Sequence, residues 1–201
     1  MPTANAKNSL HTRGYAKLVD AAKFFDFNFN GKIVLDIGSS TGGFTAYALD
    51  HGAKKVVAVE KGTAQMAYPL RLDSRIDLRE KTDIFDTSSS NLPHIDIILA
   101  DVSFTSLRPI LTHVRKNIAN KDTEFLVMFK PQFEAQPSDL NRGVVKNEKI
   151  RRRIIKDFEY WLTTHGLLIK AKRDNLVLGK SGNRERFYYL TLAKNAFVWY
   201  N

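Results

Sequence analysis

Apolar and polar positions change period repeatedly along this chain. Lys32-Ile33-Val34-Leu35-Asp36-Ile37 is a short run rich in β-branched residues that stops at Gly38, the pattern of a strand buried on both faces. Residues 43–51 then follow helical spacing, and Gly52 supplies a natural stop. Further strand-like runs occupy Lys55–Glu60, residues 75–80, residues 95–100 and Glu124–Phe129. Between the last two, Leu107, Ile110, Leu111, Val114 and Ile118 recur as one face of a helix. An earlier helix over residues 15–25 turns Leu18, Ala21, Ala22 and Phe25 inward. Residues 131–146 contain Pro, Gly, Asn and Asp without a period, a long stretch of the kind that carries function. A basic helix follows, with Ile150, Ile154, Phe158, Trp161 and Leu162 on one face and Arg151-Arg152-Arg153 largely off it. Residues 166–172 and 186–193 close the chain as strands. The alternation predicts an α/β fold, a doubly wound and mostly parallel sheet in one domain over residues 1–201.

Composition narrows the field. The chain has 201 residues, 43% of them apolar, enough for one full core. No apolar stretch approaches the roughly 20 residues of a membrane helix, and residues 1–5 show no secretory pattern. With zero cysteines, a disulfide scaffold, a thiolate zinc site and a cysteine nucleophile are excluded, which suits a cytoplasmic protein. His11, His51, His94, His113 and His165 are too scattered for a metal site, and no metal is expected. The net charge of +10 would hold a polyanion such as nucleic acid, or would simply keep the protein soluble.

Candidate chemistry begins at Asp36-Ile37-Gly38-Ser39-Ser40-Thr41-Gly42-Gly43-Phe44, where the first strand hands over to the first crossover helix. Ligands of parallel α/β sheets bind in this crevice, where glycines admit a close approach and the helix N-terminus offers N–H groups. Glu60 ends the second strand, where a carboxylate can accept both hydroxyls of a ribose. A dinucleotide loop would need Gly-x-Gly-x-x-Gly; here Ser39, Ser40 and Thr41 follow Gly38 and the paired glycines come late. With an acid at Asp36 for an amino acid end, the pattern favours S-adenosylmethionine over a nicotinamide. Asp83 can bond the adenine amino group or cap a turn. Phe44 and Phe104 are expected to pack in the core or against the cofactor.

These stretches resemble a known family. Thr12-Arg13-Gly14-Tyr15-Ala16-Lys17-Leu18, the glycine loop through Thr45, Asp101-Val102-Ser103-Phe104, Lys130-Pro131-Gln132-Phe133-Glu134, Gly143-Val144-Val145 and Gly182-Asn183-Arg184-Glu185 are similar to motifs of the TlyA, or hemolysin A, family of FtsJ-like ribose 2′-O-methyltransferases. The resemblance implies a Rossmann-like S-adenosylmethionine-dependent fold with an antiparallel last strand. It implies a catalytic tetrad at Lys17, Asp101, Lys130 and Glu185, with Asp101 also near the cofactor. Lys130 would stand nearest the ribose hydroxyl, as base or electrostatic stabiliser, with Lys17 adding positive potential and the two acids orienting the lysines. The implied substrate is a ribose, cytidine foremost, in ribosomal RNA or ribosomal subunits. Arg13, Arg142, Lys146, Lys180, Arg184 and Arg186 flank the motifs as candidate RNA contacts. Proteins of that family begin with a small S4-type RNA-binding domain, and only about ten residues precede the first motif here, so this chain is expected to lack it. A non-catalytic RNA-binding module and a membrane-active protein are the competing readings.

Overall fold

The computed structural model describes residues 12–179 and 181–193. Helix α1 (Arg13–Phe25) begins behind Thr12, whose Oγ1 accepts from the Tyr15 N–H, and ends at Asp26 in the left-handed region. There follow β1 (Ile33–Ile37), α2 (Gly43–Asp50), β2 (Lys55–Glu60), the single-turn α3 (Tyr68–Arg71) and β3 (Ile76–Glu80). After a 3₁₀ turn at Ile84–Asp86 come β4 (Ile97–Ala100), α4 (Leu107–Asn117) and β5 (Glu124–Phe129). Two more 3₁₀ turns, Pro131–Phe133 and Pro137–Asp139, precede α5 (Glu148–Thr164), β6 (Leu167–Asp174) and β7 (Arg186–Leu192).

The seven strands form one sheet in the order β3-β2-β1-β4-β5-β7-β6. The first five are parallel, and β7 runs antiparallel between β5 and β6. Alternate residues of each strand face opposite sides. Leu35, Ile37, Val57, Val59, Phe125 and Val127 join a core with α4 and α5. Val34, Val56, Ile97, Leu99, Leu126 and Met128 join a second core with α1 and α2. Burial on both faces is why these strands read as continuous apolar runs.

The antiparallel strand decides where the chemistry sits. Parallel strands present their C-terminal ends on one rim, and an antiparallel neighbour presents its N-terminal end there. Phe129, at the end of β5, is therefore paired with Arg186, at the start of β7. Lys130 and Glu185 follow and precede that pair, so they emerge side by side on the rim that also carries the glycine loop.

The basic helix differs from expectation at one position. Arg151 lies on the inward stripe with Ile155, Phe158 and Leu162 and is only 5% exposed. Residues 151, 155, 158 and 162 fall on one side of a 3.6-residue helix, so Arg151 shares the buried face whatever its charge. Its guanidinium is satisfied there by Asp174 at 2.7 Å and by the Arg184 carbonyl at 3.4 Å.

Candidate active site

Two cavities meet along the rim. The smaller, about 570 Å³, is bounded by Gly38, Ser40, Glu60, Asp83, Phe85 and Val102, among others. The larger, about 820 Å³, is bounded by Arg13, Lys17, Ser39, Lys130, Phe133 and Glu185, among others. Gly38, Ser40, Asp101, Ser103 and Phe104 line both and form the seam between them.

The glycine loop shapes the smaller cavity. Gly38 has φ +76°, and a Cβ there would stand 3.3 Å from the Asp101 carbonyl oxygen, so only glycine lets this loop lie against the end of β4. Gly43 has a different task. A Cβ on it would come within 2.6 Å of the Tyr15 nitrogen, because α1 crosses α2 at Gly14 and Gly43. That close crossing brings α1, and with it Lys17, to the rim. Gly42, at φ +89°, backs onto Leu70 and Met66, and Thr41 beside it borders the larger cavity. Phe44 is buried and stacks on Phe187, a core position as expected.

The carboxylates of this cavity are held mostly by near neighbours. Glu60 accepts from the Ser40 N–H at 2.9 Å and from the Gly62 N–H at 2.7 Å. Asp83 caps its 3₁₀ turn through the Phe85 N–H and pairs with Lys61 at 2.7 Å. The hydrogen bond from Lys61 holds the Asp83 carboxyl below the usual range. Asp36 departs from expectation. It lines neither cavity, is 1% exposed, and accepts from Thr45 Oγ1 at 2.6 Å behind the loop. Burial pushes its carboxyl up to about 7. Its position in β1 places the side chain on the α2 face, so it braces the loop from beneath instead of reaching a ligand's amino acid end.

At the seam the four charged residues quoted from distant motifs come together. Lys17 Nζ lies 2.6 Å from Glu185 Oε2 and 3.8 Å from Asp101 Oδ2. Lys130 Nζ lies 2.6 Å from Asp101 Oδ1 and donates to Ser103 Oγ at 2.9 Å. Lys17, Lys130 and Glu185 are all buried, and charges so placed persist only in compensating pairs. The result is an alternating chain, Glu185–Lys17–Asp101–Lys130, whose Lys130 end opens on the larger cavity.

Side chains that sequence reasoning left without a role tie the motifs together. Asn183 Oδ1 accepts from the Val145 N–H and its Nδ2 donates to the Gly143 carbonyl, fastening residues 143–145 to residues 182–185. Glu134 accepts from Ser106 Oγ and the Leu107 N–H, fixing the turn after Lys130 to the start of α4. Both lie inside the quoted motifs, but only the fold reveals their partners.

The candidate RNA contacts divide. Arg13, Arg142, Lys146 and Arg184 are exposed around the larger cavity's rim segments, with Arg13 donating to the Leu178 carbonyl and Arg184 3.5 Å from Glu148. Arg186 does not join them. Its side chain is half-buried, bonded to Asp174 at 2.6 Å and facing Glu159 at 3.4 Å, because β7 turns it onto α5. Lys180 lies outside the described residues. Phe104 corrects the expectation of core packing: it is 92% exposed, has φ +64°, and its ring lies 5.5 Å from that of Phe133. Left-handed backbone at an aromatic residue is strained and is commonly tied to a site. Tyr15 instead packs edge-on against Tyr47. Among the described residues there is no group of His, Asp or Glu suited to a metal, and no helix is long and apolar enough to cross a membrane. Phe158 is fully buried and Trp161 packs against the same core, which occupies the apolar face of α5.

The sequence and the fold have known relatives. The chain is 38% identical over 160 residues to the 23S rRNA (cytidine-2′-O)-methyltransferase TlyA of Campylobacter jejuni, covering 79% of this chain and 61% of that protein. It is 35% identical over 184 residues to the 16S/23S rRNA (cytidine-2′-O)-methyltransferase TlyA of Mycobacterium tuberculosis, covering 89% of this chain and 67% of that protein. The chain thus spans about two thirds of the length of these curated relatives. A crystal structure of a hemolysin candidate from Lactococcus lactis superposes with a TM-score of 0.85 at 34% identity, covering 90% of this chain and 87% of that one. The family model described as FtsJ-like methyltransferase matches residues 10–191, nearly all of the sheet and its rim. The chain belongs to the FtsJ-like methyltransferase family.

Proposed function

We propose that this chain transfers a methyl group from S-adenosylmethionine to a ribose 2′-hydroxyl of ribosomal RNA, a cytidine by analogy with the TlyA relatives. The observation that carries this reading is the buried Glu185–Lys17–Asp101–Lys130 chain at the seam of two cavities. Ribosomal RNA as substrate places the activity in the cytoplasm.

The residues present fit the cofactor. The smaller cavity has the volume of a nucleoside-sized site, within the usual ~300–1,000 Å³ range. Glu60 Oε2, bonded to the Ser40 N–H, keeps a lone pair for a ribose hydroxyl, and Oε1 can exchange its long 3.4 Å contact from Gln65 Nε2 for the other. Asp83 can exchange its exposed partner Lys61 for an adenine amino group at little cost. Ser39 Oγ, buried and without a partner, lines the cavity system beside the loop. Asp101, which borders both cavities, is the carboxylate open to a cofactor ammonium. When bound, S-adenosylmethionine supplies a methyl carbon on a sulfonium, and the carbon–sulfur electron pair stays on sulfur as the ribose oxygen takes that carbon.

The chain's own groups govern the proton. Lys130 Nζ, in its neutral form, receives the hydroxyl proton as the oxygen–carbon bond forms. Asp101 then balances the ammonium produced. Lys17 keeps positive potential beside the developing oxyanion, and Glu185 keeps Lys17 in place. Arg13, Arg142, Lys146 and Arg184 hold the phosphate backbone, and Phe104 offers a face for a base to stack on.

Tritium transfer from labelled S-adenosylmethionine to ribosomal RNA, free and in assembled subunits, tests the reading. Incorporation that survives alkali at one ribose supports it. Calorimetric cofactor binding with no incorporation favours an RNA-binding module.

A further inference from the structure

Lys130 is held by more than a carboxylate. Its Nζ is 2.6 Å from Asp101 Oδ1 and donates to Ser103 Oγ at 2.9 Å. On the reading proposed above, we infer that Ser103 is a positioning residue for methyl transfer. Its hydroxyl, acting with Asp101, sets the rotation of the Lys130 amine so that the nitrogen's remaining position faces the ribose hydroxyl.

A lysine amine on its flexible stem rotates about a single hydrogen bond, so one carboxylate leaves its other directions unspecified. Two acceptors in different directions remove that freedom. A neutral tetrahedral nitrogen that donates to Ser103 Oγ and is held against Asp101 Oδ1 has one open direction left for its lone pair. Lys130 lines the larger cavity and not the smaller, so this direction opens where the ribose enters. The Phe133 ring, 5.9 Å from Nζ, borders it on one side. The other lysine also borders the larger cavity but has more partners. Lys17 Nζ meets Glu185, Met128 Sδ at 3.5 Å and Asp101, which leaves it as a fixed charge and not as a proton acceptor.

The backbone supports the assignment. Ser103 borders both cavities, and the next residue, Phe104, takes the left-handed region at φ +64°. Strain of that kind persists where surrounding structure requires it. Here the turn leaves the Ser103 hydroxyl beside Lys130 while the Phe104 ring goes to solvent. Ser103 neither gains nor loses a proton over the reaction.

Single-turnover methyl transfer to ribosomal RNA by the full chain tests this. Ser103→Ala is expected to slow the step about tenfold, as a misaligned base does, with calorimetric affinities for S-adenosylmethionine and RNA unchanged. Ser103→Thr, which keeps the hydroxyl, is expected to recover the wild-type rate. A wild-type rate in Ser103→Ala, or a Ser103→Thr as slow as Ser103→Ala, overturns the inference. If the wild-type chain transfers nothing, the proposed function fails instead, and Ser103 is read without turnover. Nuclear relaxation of isotope-labelled lysine side chains, with Lys130 assigned through Lys130→Arg, is expected to show Lys130 losing order in Ser103→Ala but not in Ser103→Thr. Equal order in all three proteins would sink the idea.

Discussion

The two cavities share a wall and differ in almost everything else. In the smaller, acids face the space: Glu60 accepts from the N–H groups of Gly62, two residues on, and of Ser40 in the glycine loop, and Asp83 accepts from that of Phe85, with one exposed lysine added. In the larger, bases face the space: Lys17, Lys130 and Arg13 look into the groove, and the lysines are held by carboxylates from remote strand ends. An acidic, locally braced pocket suits a neutral nucleoside with donor hydroxyls and an amino group. A basic groove braced across the whole fold suits a phosphodiester. Asp101 belongs to both, so on the proposed reading binding the methyl donor and using it are separable, with a single carboxylate as the joint.

The sharpest way to break that separation is Lys130→Ala. It removes the proposed proton acceptor from the groove; Lys130 does not itself line the smaller cavity and meets it only through Asp101 and Ser103 at the seam. Methyl transfer should fall by about 1,000-fold or more, while calorimetric S-adenosylmethionine affinity holds; a matching loss of affinity would unite the two cavities.

Asp36 lies beneath the loop that both cavities share. Burial holds its carboxyl at about 7, above the unfolded value. The folded state therefore keeps the proton where the unfolded state has lost it. The stabilisation is fully present below about pH 4 and disappears as pH rises to about 7. Asp36→Asn should erase this dependence and exceed wild type at pH 8 by up to about 4 kcal/mol relative to their difference at pH 4. Denaturant titrations across that window give the answer, and parallel curves for the two proteins would refute it.

Arg151→Met acts on the groove from the far side of the sheet. It removes a buried guanidinium from Asp174 and from the carbonyl preceding Glu185. Urea unfolding should show a loss of about 2–3 kcal/mol. Transfer should slow while cofactor binding holds, because the Arg184 carbonyl loses its guanidinium partner and the Asn175 N–H bond to the Glu185 carbonyl, one peptide further on, is left to hold that segment. Glu60→Ala is the mildest and the mirror image. It should raise the S-adenosylmethionine dissociation constant about tenfold, one lost charge-assisted hydrogen-bonding group. RNA affinity should not move, and a change in it would mean the cavities are coupled beyond Asp101.

The same contrast explains how much could be read in advance. The strands around the glycine loop and the places of Glu60 at the end of β2 and Asp83 before its turn are legible because strand period and strand ends are local properties, although the Ser40 and Lys61 partners of these acids are not local. The tetrad was named only through family resemblance, since nothing local joins Lys17 to Glu185. The sequence reading puts Asp36 at a ligand and Phe104 in the core or against the cofactor; the structure turns the first under the loop and keeps the second out of the core, exposed beside both cavities. Arg151 reads as a solvated helix face and Arg186 as an RNA contact, yet both lie in an ion-pair cluster with Asp174 and Glu159.

The sequence by itself determined the order of elements, the doubly wound class and the place of the nucleoside loop, because period, glycines and strand ends are short-range properties of a chain. Tertiary structure decided which charges gather at the rim, which pair away from it and which stay exposed. It did so by inserting an antiparallel β7 beside β5, which carries Glu185 to the rim of the parallel strands, and by crossing α1 over α2 at Gly14 and Gly43. A charged side chain takes its role from the partners and the dielectric around it, and those come from strands and helices far away in the chain.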